Sequence, residues 1–476
     1  MREVGLERAI VYRNARHIVR PERMLLPIVV GGSLGKLTTS LALWVYDWLA
    51  AVPRPERRKM LDAATTLERE PLLKKEGLKG GGIYYEYRTD DARLTIEVAK
   101  TAHSYGAFLV NYAAAETLCY DSAGKICGAT VRDTLTDTLY TVQATQVINA
   151  AGPWVDDVRG KEPTPITPIT GKRLHLTKGV HVVVDYARLP LQQSAYFDAP
   201  TDGRMLFAIP RGEVVYLGTT DTDYKGDTAN PLATANDVAY ILAATNAVFP
   251  SAALTAADVQ SSWTGLRPLV YQEGKAAGEI SRRDEVFVSA SGLISIAGGK
   301  LTGYRKMAER AVDTALKALV RAGKAEFVRS STAKRILSGG DFESEAELET
   351  MLKRRTGEVR EVEIPARVLR EWLFRYGSNM DEVIALVYDL FTTIPDPKTR
   401  WETAEIKYAI EQEMATTLAD FLTRRTGSLY FNRPATAQTF ERTAHIMATL
   451  LNWDEARTYR EMATFKREMD AVMTFG

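Results

Sequence analysis

The sequence predicts a mixed α/β (α+β) fold in three parts, and three stretches carry that reading. Residues 292–323 run from a short apolar strand through a glycine pair into an amphipathic helix. Residues 176–218 are a succession of short strands with turn signals, the pattern of a mostly antiparallel sheet. Beyond about residue 343 the chain is charged and helical to its end, with helical stretches at 372–376, 383–391 and 404–422 and a last one from Asp454, which predicts a separate C-terminal domain. A length of 476 residues with 45% hydrophobic and 25% charged side chains suits two or three globular domains.

Taken in order, residues 2–12 (REVGLERAIVY) read as the middle of a helix with no capping residue before it. Pro21 ends that region, residues 24–30 form an apolar strand, and a helical span follows up to Trp48. Trp44 and Trp48 share one face of it, which suits a half-buried core helix better than a membrane-surface one. Residues 80–87 (GGGIYYEY) form a strand that leads into a helix at 91–105, capped by Thr89 or Asp90. The triple glycine precedes its strand, so it fails the strand–loop–helix context of a dinucleotide fingerprint, and no GxGxxG occurs elsewhere. Strands follow at 108–112, 117–120, 126–132 and 139–148. Residues 147–154 (VINAAGPW) then make a small-residue turn where a backbone can approach a flat or phosphorylated ligand. After the strand-rich region, a helix at 236–249 and the segment 261–267 return the chain to its central stretch.

That stretch has the most local chemistry. Residues 293–297 form a buried strand, Gly298-Gly299 turns it, and a helix begins near Thr302. Met307, Ala308, Ala311, Val312, Ala315, Leu316 and Leu319 recur at helical spacing, and Gly323 closes the run. Free backbone N–H groups, a helix dipole and Lys300 converge at one corner, which suits a phosphate or an electron-rich flavin edge. On spacing alone an ordinary βα turn is the favoured reading.

Composition excludes several classes. Sixty-one basic against 60 acidic residues leaves a formal charge of +1, so nothing points to nucleic acid. Cys119 and Cys127 form no CxxC and read as two buried reduced thiols of a cytoplasmic protein. Five histidines make no paired ligand motif, and no metal site is expected. The longest apolar stretch, residues 41–52, carries Asp47 and is too short to span a bilayer.

Several segments together are similar to one family. GGGIYYEYRTDDARLTIEVAK, VINAAGPWVDDVR, TKGVHVVVD, DGRMLFAIPR, YLGTTDTDYKGD, SSWTGLRPL, EISRRDE, GLISIAGGKLTGYRKMAE, RYGSN and DFLTRRTG resemble the FAD-dependent sn-glycerol-3-phosphate dehydrogenase/oxidase family, across nearly the whole chain. The short link between Pro268 and Ser281 resembles the respiratory dehydrogenases more than the oxidases. The resemblance implies an incomplete Rossmann-like FAD domain, an antiparallel-sheet substrate domain and an all-helical C-terminal domain. Residues 1–330 would be the oxidoreductase core and 331–476 the helical domain. Within the core, the flavin-binding parts would be about 1–30, 88–160 and 285–330, and the substrate sheet about 31–87 and 161–284.

The family's glycine-rich FAD loop and ribose-binding acid would lie upstream of Met1, in roughly 60–80 residues or about two βαβ-sized units. The expectation is that residues 1–476 alone purify without flavin and without activity. A truncated, non-catalytic remnant that binds no FAD is the competing class of function, and an oxygen-using oxidase the competing chemistry.

The implied reaction oxidises glycerol 3-phosphate to dihydroxyacetone phosphate, with hydride transfer to FAD and electrons to quinone. Arg267 and Arg282 would hold the substrate, because a guanidinium binds phosphate bidentately. Lys300 would sit near flavin and substrate and suit proton transfer. His181 is the other candidate base, although a lone histidine in a strand is more often structural. Thr219, Thr220 and Asp221 would line the pocket, or simply end a hairpin. Gly152, Trp154, Gly298, Gly299, Lys300, Leu301 and Thr302 would contact FAD. The protein would be cytoplasmic, peripheral on the inner membrane face where it meets quinone, and a homodimer.

Overall fold

A computed structural model describes residues 2–32, 35, 38–41, 44–45, 56–163, 173–271 and 283–475. Trp48 and Arg282 lie outside the described residues. The first helix, Arg2–Asn14, leads into β1 (Val19–Val29), β2 (Lys59–Leu61) and β3 (Leu78–Thr89). A small antiparallel sheet follows, of β4 (Ala113–Tyr120), β5 (Ile126–Asp133) and β6 (Thr138–Gln143), and then the short β7 (Ile148–Asn149). Next come β8 (Leu174–Asp185), β9 (Ser194–Asp198), β10 (Met205–Arg211), β11 (Val214–Gly218), β12 (Thr222–Asp223) and β13 (Val259–Val270). The last strands are β14 (Asp284–Val288) and β15 (Ile294–Gly298).

The large sheet runs β12-β8-β11-β10-β9-β1-β3-β2, with β13 also paired to β8. Its pairings are antiparallel except β1 with β9, which meet in parallel at Met24 and Ser194. It takes in β1, a strand that the sequence reading groups with the flavin-binding segments. The triple glycine lies inside β3 and serves packing. A Cβ on Gly80 would come within 2.3 Å of the Leu61 carbonyl on β2, and only glycine permits that approach.

Period-two alternation separates the faces. Val180, Val182, Val184, Leu206, Ala208 and Leu217 point to a core closed by the helix Ala235–Val248. The opposite face carries Met24, Tyr84, Phe207, Tyr216 and His181. A capping box at Thr234 and Asp237 starts the covering helix. Asp237 also pairs at 2.6 Å with the buried Lys178 of β8.

β14, β15 and β7 form a second sheet in which β15 runs parallel to β7. Each parallel strand leaves through a 3₁₀ turn, Gly152–Trp154 after β7 and Leu301–Gly303 after β15. The second turn opens the helix Tyr304–Arg321, which is tied to the N-terminal helix by Arg305 donating to Glu7 at 2.8 Å. On that helix Ala311 and Ala315 are buried, whereas Ala308 and Val312 of the expected apolar face are exposed.

Beyond residue 344 the described chain is helical, around two cores. One is centred on Trp372 and Tyr376, the other on Phe440 and Phe465.

Four local expectations differ from the structure. Residues 108–112 form no strand. Instead Asn111 and Tyr112 reach the C-terminal domain, at Met414 O and Asp420, both at 2.8 Å. The expected strand at 139–148 is two strands, β6 and β7, in different sheets. The helix expected to run to Leu422 stops at Glu413, because Met414 takes a left-handed backbone (φ 54°). Cys119 and Cys127 are free thiols but only half-buried, since β4 and β5 have an uncovered face.

Candidate active site

β8 organises the site. Gly179 and His181 are two residues apart on it and face the same way. Thr264, Gly265, Leu266 and Arg267 on β13 pair with Val180, Gly179, Lys178 and Thr177. The Arg267 guanidinium folds back across Gly179, where a Cβ would lie 2.4 Å from Nη2. Nη1 donates to Asp221 Oδ1 at 3.2 Å and to Thr220 O at 3.3 Å, and Nη2 donates to Thr219 Oγ1 at 3.2 Å. The 219–221 turn is itself pinned, because the buried Thr220 hydroxyl accepts from Val180 N at 3.0 Å. Four residues singled out in the sequence therefore form one seat: a cation held by a carboxylate, a hydroxyl and a carbonyl.

His181 stands beside that seat. Its ring stacks on Trp263 at 4.5 Å and 9°, with Phe207 at 5.5 Å. Gly218 lies opposite on β11, where a Cβ would strike the imidazole at 2.5 Å. Burial, helped by the Arg267 charge, pushes the imidazole down to about 3, so it is neutral at physiological pH. Its Nδ1 is buried without a hydrogen-bond partner among the described residues.

The turn Gly152–Trp154 lies against both β13 and β15, and β13 packs on β15 next to the second turn. Val155, Val270 and Ala297 share a small core, and Gly298 sits against Val270. Arg267 and Lys300 are thus each within three residues of one contact between β13 and β15. Lys300 is exposed and precedes the turn Leu301–Gly303. The helix Tyr304–Arg321 continues from this turn with no side-chain cap, the Gly303 and Tyr304 N–H groups donating to Lys300 O and Leu301 O. Trp154 and Leu301, one on each turn, are 43% and 47% exposed, and the space next to Gly152 is open. Gly298 and Gly299 both have positive φ, but what fills the space beside them is Arg283 O and Met307 Sδ. Both make the turn.

Arg282 cannot be placed in this picture, being outside the described residues. Trp263, Phe207 and Gly218, which shape the His181 pocket, were not among the candidate residues of the sequence reading. Gly179 had a legible signal, since a glycine inside a run of β-branched residues marks a close approach.

Residues 4–305 match the family model described as FAD dependent oxidoreductase, and residues 330–458 match the C-terminal domain of alpha-glycerophosphate oxidase. The chain is 45% identical over 458 residues to the aerobic glycerol-3-phosphate dehydrogenase of Staphylococcus haemolyticus, covering 96% of this chain and 81% of that protein. The chain belongs to the FAD-dependent glycerol-3-phosphate dehydrogenase family. The corresponding Staphylococcus aureus protein is 46% identical over 456 residues, with the same coverage. The crystal structure of the glycerol-3-phosphate dehydrogenase from Bacillus halodurans complexed with FAD superposes with a TM-score of 0.84 at 43% identity, over 99% of this chain and 86% of that one.

Like other members of this dehydrogenase family, the chain is an FAD-dependent enzyme, and its residues fit the flavin-ring end of the group. The uncapped helix N-terminus suits an electron-rich ring edge. The exposed Trp154 and Leu301 offer apolar surface at the carboxyl ends of two parallel strands, where α/β sheets bind such ligands. Among the described residues, no helix is long and apolar enough to cross a membrane.

Proposed function

We propose that this protein oxidises sn-glycerol 3-phosphate at C2 to dihydroxyacetone phosphate and delivers the electrons to quinone at the membrane surface. The observation that carries this reading is the Arg267 seat beside a neutral imidazole, on a strand that packs against β15 and the turn Gly152–Trp154. Gly152, Trp154 and the stretch from Gly298 to Thr302 would hold FAD. Bound there, FAD would supply a two-electron acceptor for the C2 hydride.

The chain's own residues would do the rest. Arg267 would grip the substrate phosphate, with Asp221 and Thr219 fixing the direction of its fork, and Arg282 would add a second cation. The hydroxyl proton needs an acceptor. A neutral His181 can take it, and a dianionic substrate beside the ring opposes the burial and the Arg267 charge that suppress its basicity. Lys300 is the other group positioned to move that proton. Trp263 and Phe207 would exclude water from the imidazole. Trp44, 51% exposed, supports a peripheral membrane contact. A homodimer on the inner membrane face is the proposed assembly.

The test is steady-state kinetics of the FAD-loaded enzyme. Arg267→Ala should raise KM for glycerol 3-phosphate about 10- to 100-fold, the loss expected for a hydrogen-bonded charge pair. An unchanged KM would remove Arg267 from the site. The same preparation should reduce a soluble quinone analogue and release little hydrogen peroxide. Because the C-terminal match is named for an oxidase, fast peroxide release would instead assign oxygen as the acceptor.

A further inference from the structure

The large sheet's site-bearing face ends in arginines. Arg20 on β1 lies opposite Arg88 on β3. Arg211 on β10 follows Phe207 by four residues on the same face, about 13 Å along the strand. The C-terminal helix Ala366–Tyr376 covers this end and contributes Arg367, Arg370 and Arg375. Together they line a cavity of about 660 Å³, in which these six arginines face three acids, Asp90, Glu213 and Glu371.

Most of these arginines have partners. Arg211 pairs with Asp90 at 2.8 Å, Arg88 with Glu22 at 3.6 Å, Arg370 with Glu349 at 3.2 Å, and Arg375 with Glu405. Arg20 has no ion pair among the described residues. Its guanidinium lies 4.1 Å from the centre of the Phe374 ring. Burial and the facing Arg88 pull it below the ordinary guanidinium value and Arg370 adds to the effect, while Glu345 and Glu22 oppose it. A half-buried cation without an ion pair of its own is costly unless an anion completes it. Arg367 and Arg370, 72% and 50% exposed, form a basic mouth above the buried floor.

We propose that this cavity binds a phosphate-bearing anion, distinct from the substrate bound at the Arg267 seat. Arginine forks suit phosphate oxygens, and the volume exceeds what a single phosphate fills, so two phosphate groups or a phosphate with an organic body fit best. The floor comes from the sheet and the mouth from the helical domain, so the anion would tie the two together. A soluble metabolite and a lipid headgroup share this chemistry.

Inorganic pyrophosphate titrated into the full chain by calorimetry tests the site. One saturable event is expected, and Arg20→Gln should weaken it about tenfold or more, the equivalent of one charge-assisted hydrogen bond. Without ligand, Arg20→Gln should be as stable as the parent or more so, because it removes an unpaired charge, whereas a structural arginine would show the reverse. Arg267→Ala and the surface control Arg354→Gln should bind as the parent does. If Arg20→Gln fails to fold, Arg370→Gln at the mouth carries the test, with weaker binding expected. Co-sedimentation with phosphatidylglycerol vesicles that pyrophosphate abolishes assigns the lipid source, and calorimetric binding without co-sedimentation assigns the soluble one. Absence of saturable binding, unchanged affinity in both cavity variants, or loss in Arg267→Ala alone overturns the proposal.

Discussion

At the scale of single residues, the seat depends as much on what is absent as on what is present. Gly179 gives the Arg267 guanidinium room to lie across β8, with 2.4 Å to where a methyl would sit. In Gly179→Ala the group that must move is the end of a flexible side chain, so the sheet survives and Arg267 leaves Asp221 and Thr219. KM for glycerol 3-phosphate should therefore rise about tenfold with little change in Tm. A variant with normal KM would show that the seat tolerates displacement, and one that unfolds would show that Gly179 serves the fold. The sequence made Arg267, the 219–221 turn and His181 legible because each stands in a short recognisable segment. Trp263 stacks on His181 from about 80 residues away, through strand pairing. Nothing local in either segment announces such a contact.

At the scale of elements, alternation and helical spacing located most strands and helices, and they failed where tertiary contacts decide. Residues 108–112 have the apolar character of a strand, but Asn111 and Tyr112 are drawn to the C-terminal domain instead. The helix Ala235–Val248 was legible from its own spacing, whereas its anchor was not. That anchor is the buried pair of Lys178 with Asp237, next to Gly179 on β8. Breaking such a pair from one side strands a buried charge, so Asp237→Ala should cost about 3–5 kcal/mol in chemical denaturation. Burial alone would raise the Asp237 carboxyl, but Lys178 and Thr234 outweigh it and hold it below the ordinary range. A depressed folded value means that the stabilisation is present above the unfolded value, about 3.9, and is lost as pH falls through the folded one. The parent should therefore lose its advantage over Asp237→Asn only below about pH 4, which Tm measured across pH 3–7 can check.

At the scale of the whole molecule, the sequence announces a helical C-terminal domain but not what holds it. The structure shows a buried charge network between the helix Asp91–Ser104 and that domain. Arg93 grips Glu413 through both carboxylate oxygens at 2.7 Å, and Lys100 donates to Tyr408 at 2.7 Å. Glu97 completes the network beside Arg93 and Lys100, and Arg93, Glu97 and Glu413 are all fully buried. These partners lie some 320 positions apart in the chain, so no window of sequence could pair them. Buried ion pairs are costly to form and costlier to break from one side. Glu413→Leu and Arg93→Leu should each lose about 3–5 kcal/mol, and the double variant should lose clearly less than the sum, because it removes both charges together. The same cycle should report on docking, with each single variant splitting one calorimetric unfolding transition into two as the helical domain loosens from the sheet. Additive losses within one cooperative transition would show that apolar packing, not this network, holds the domains together.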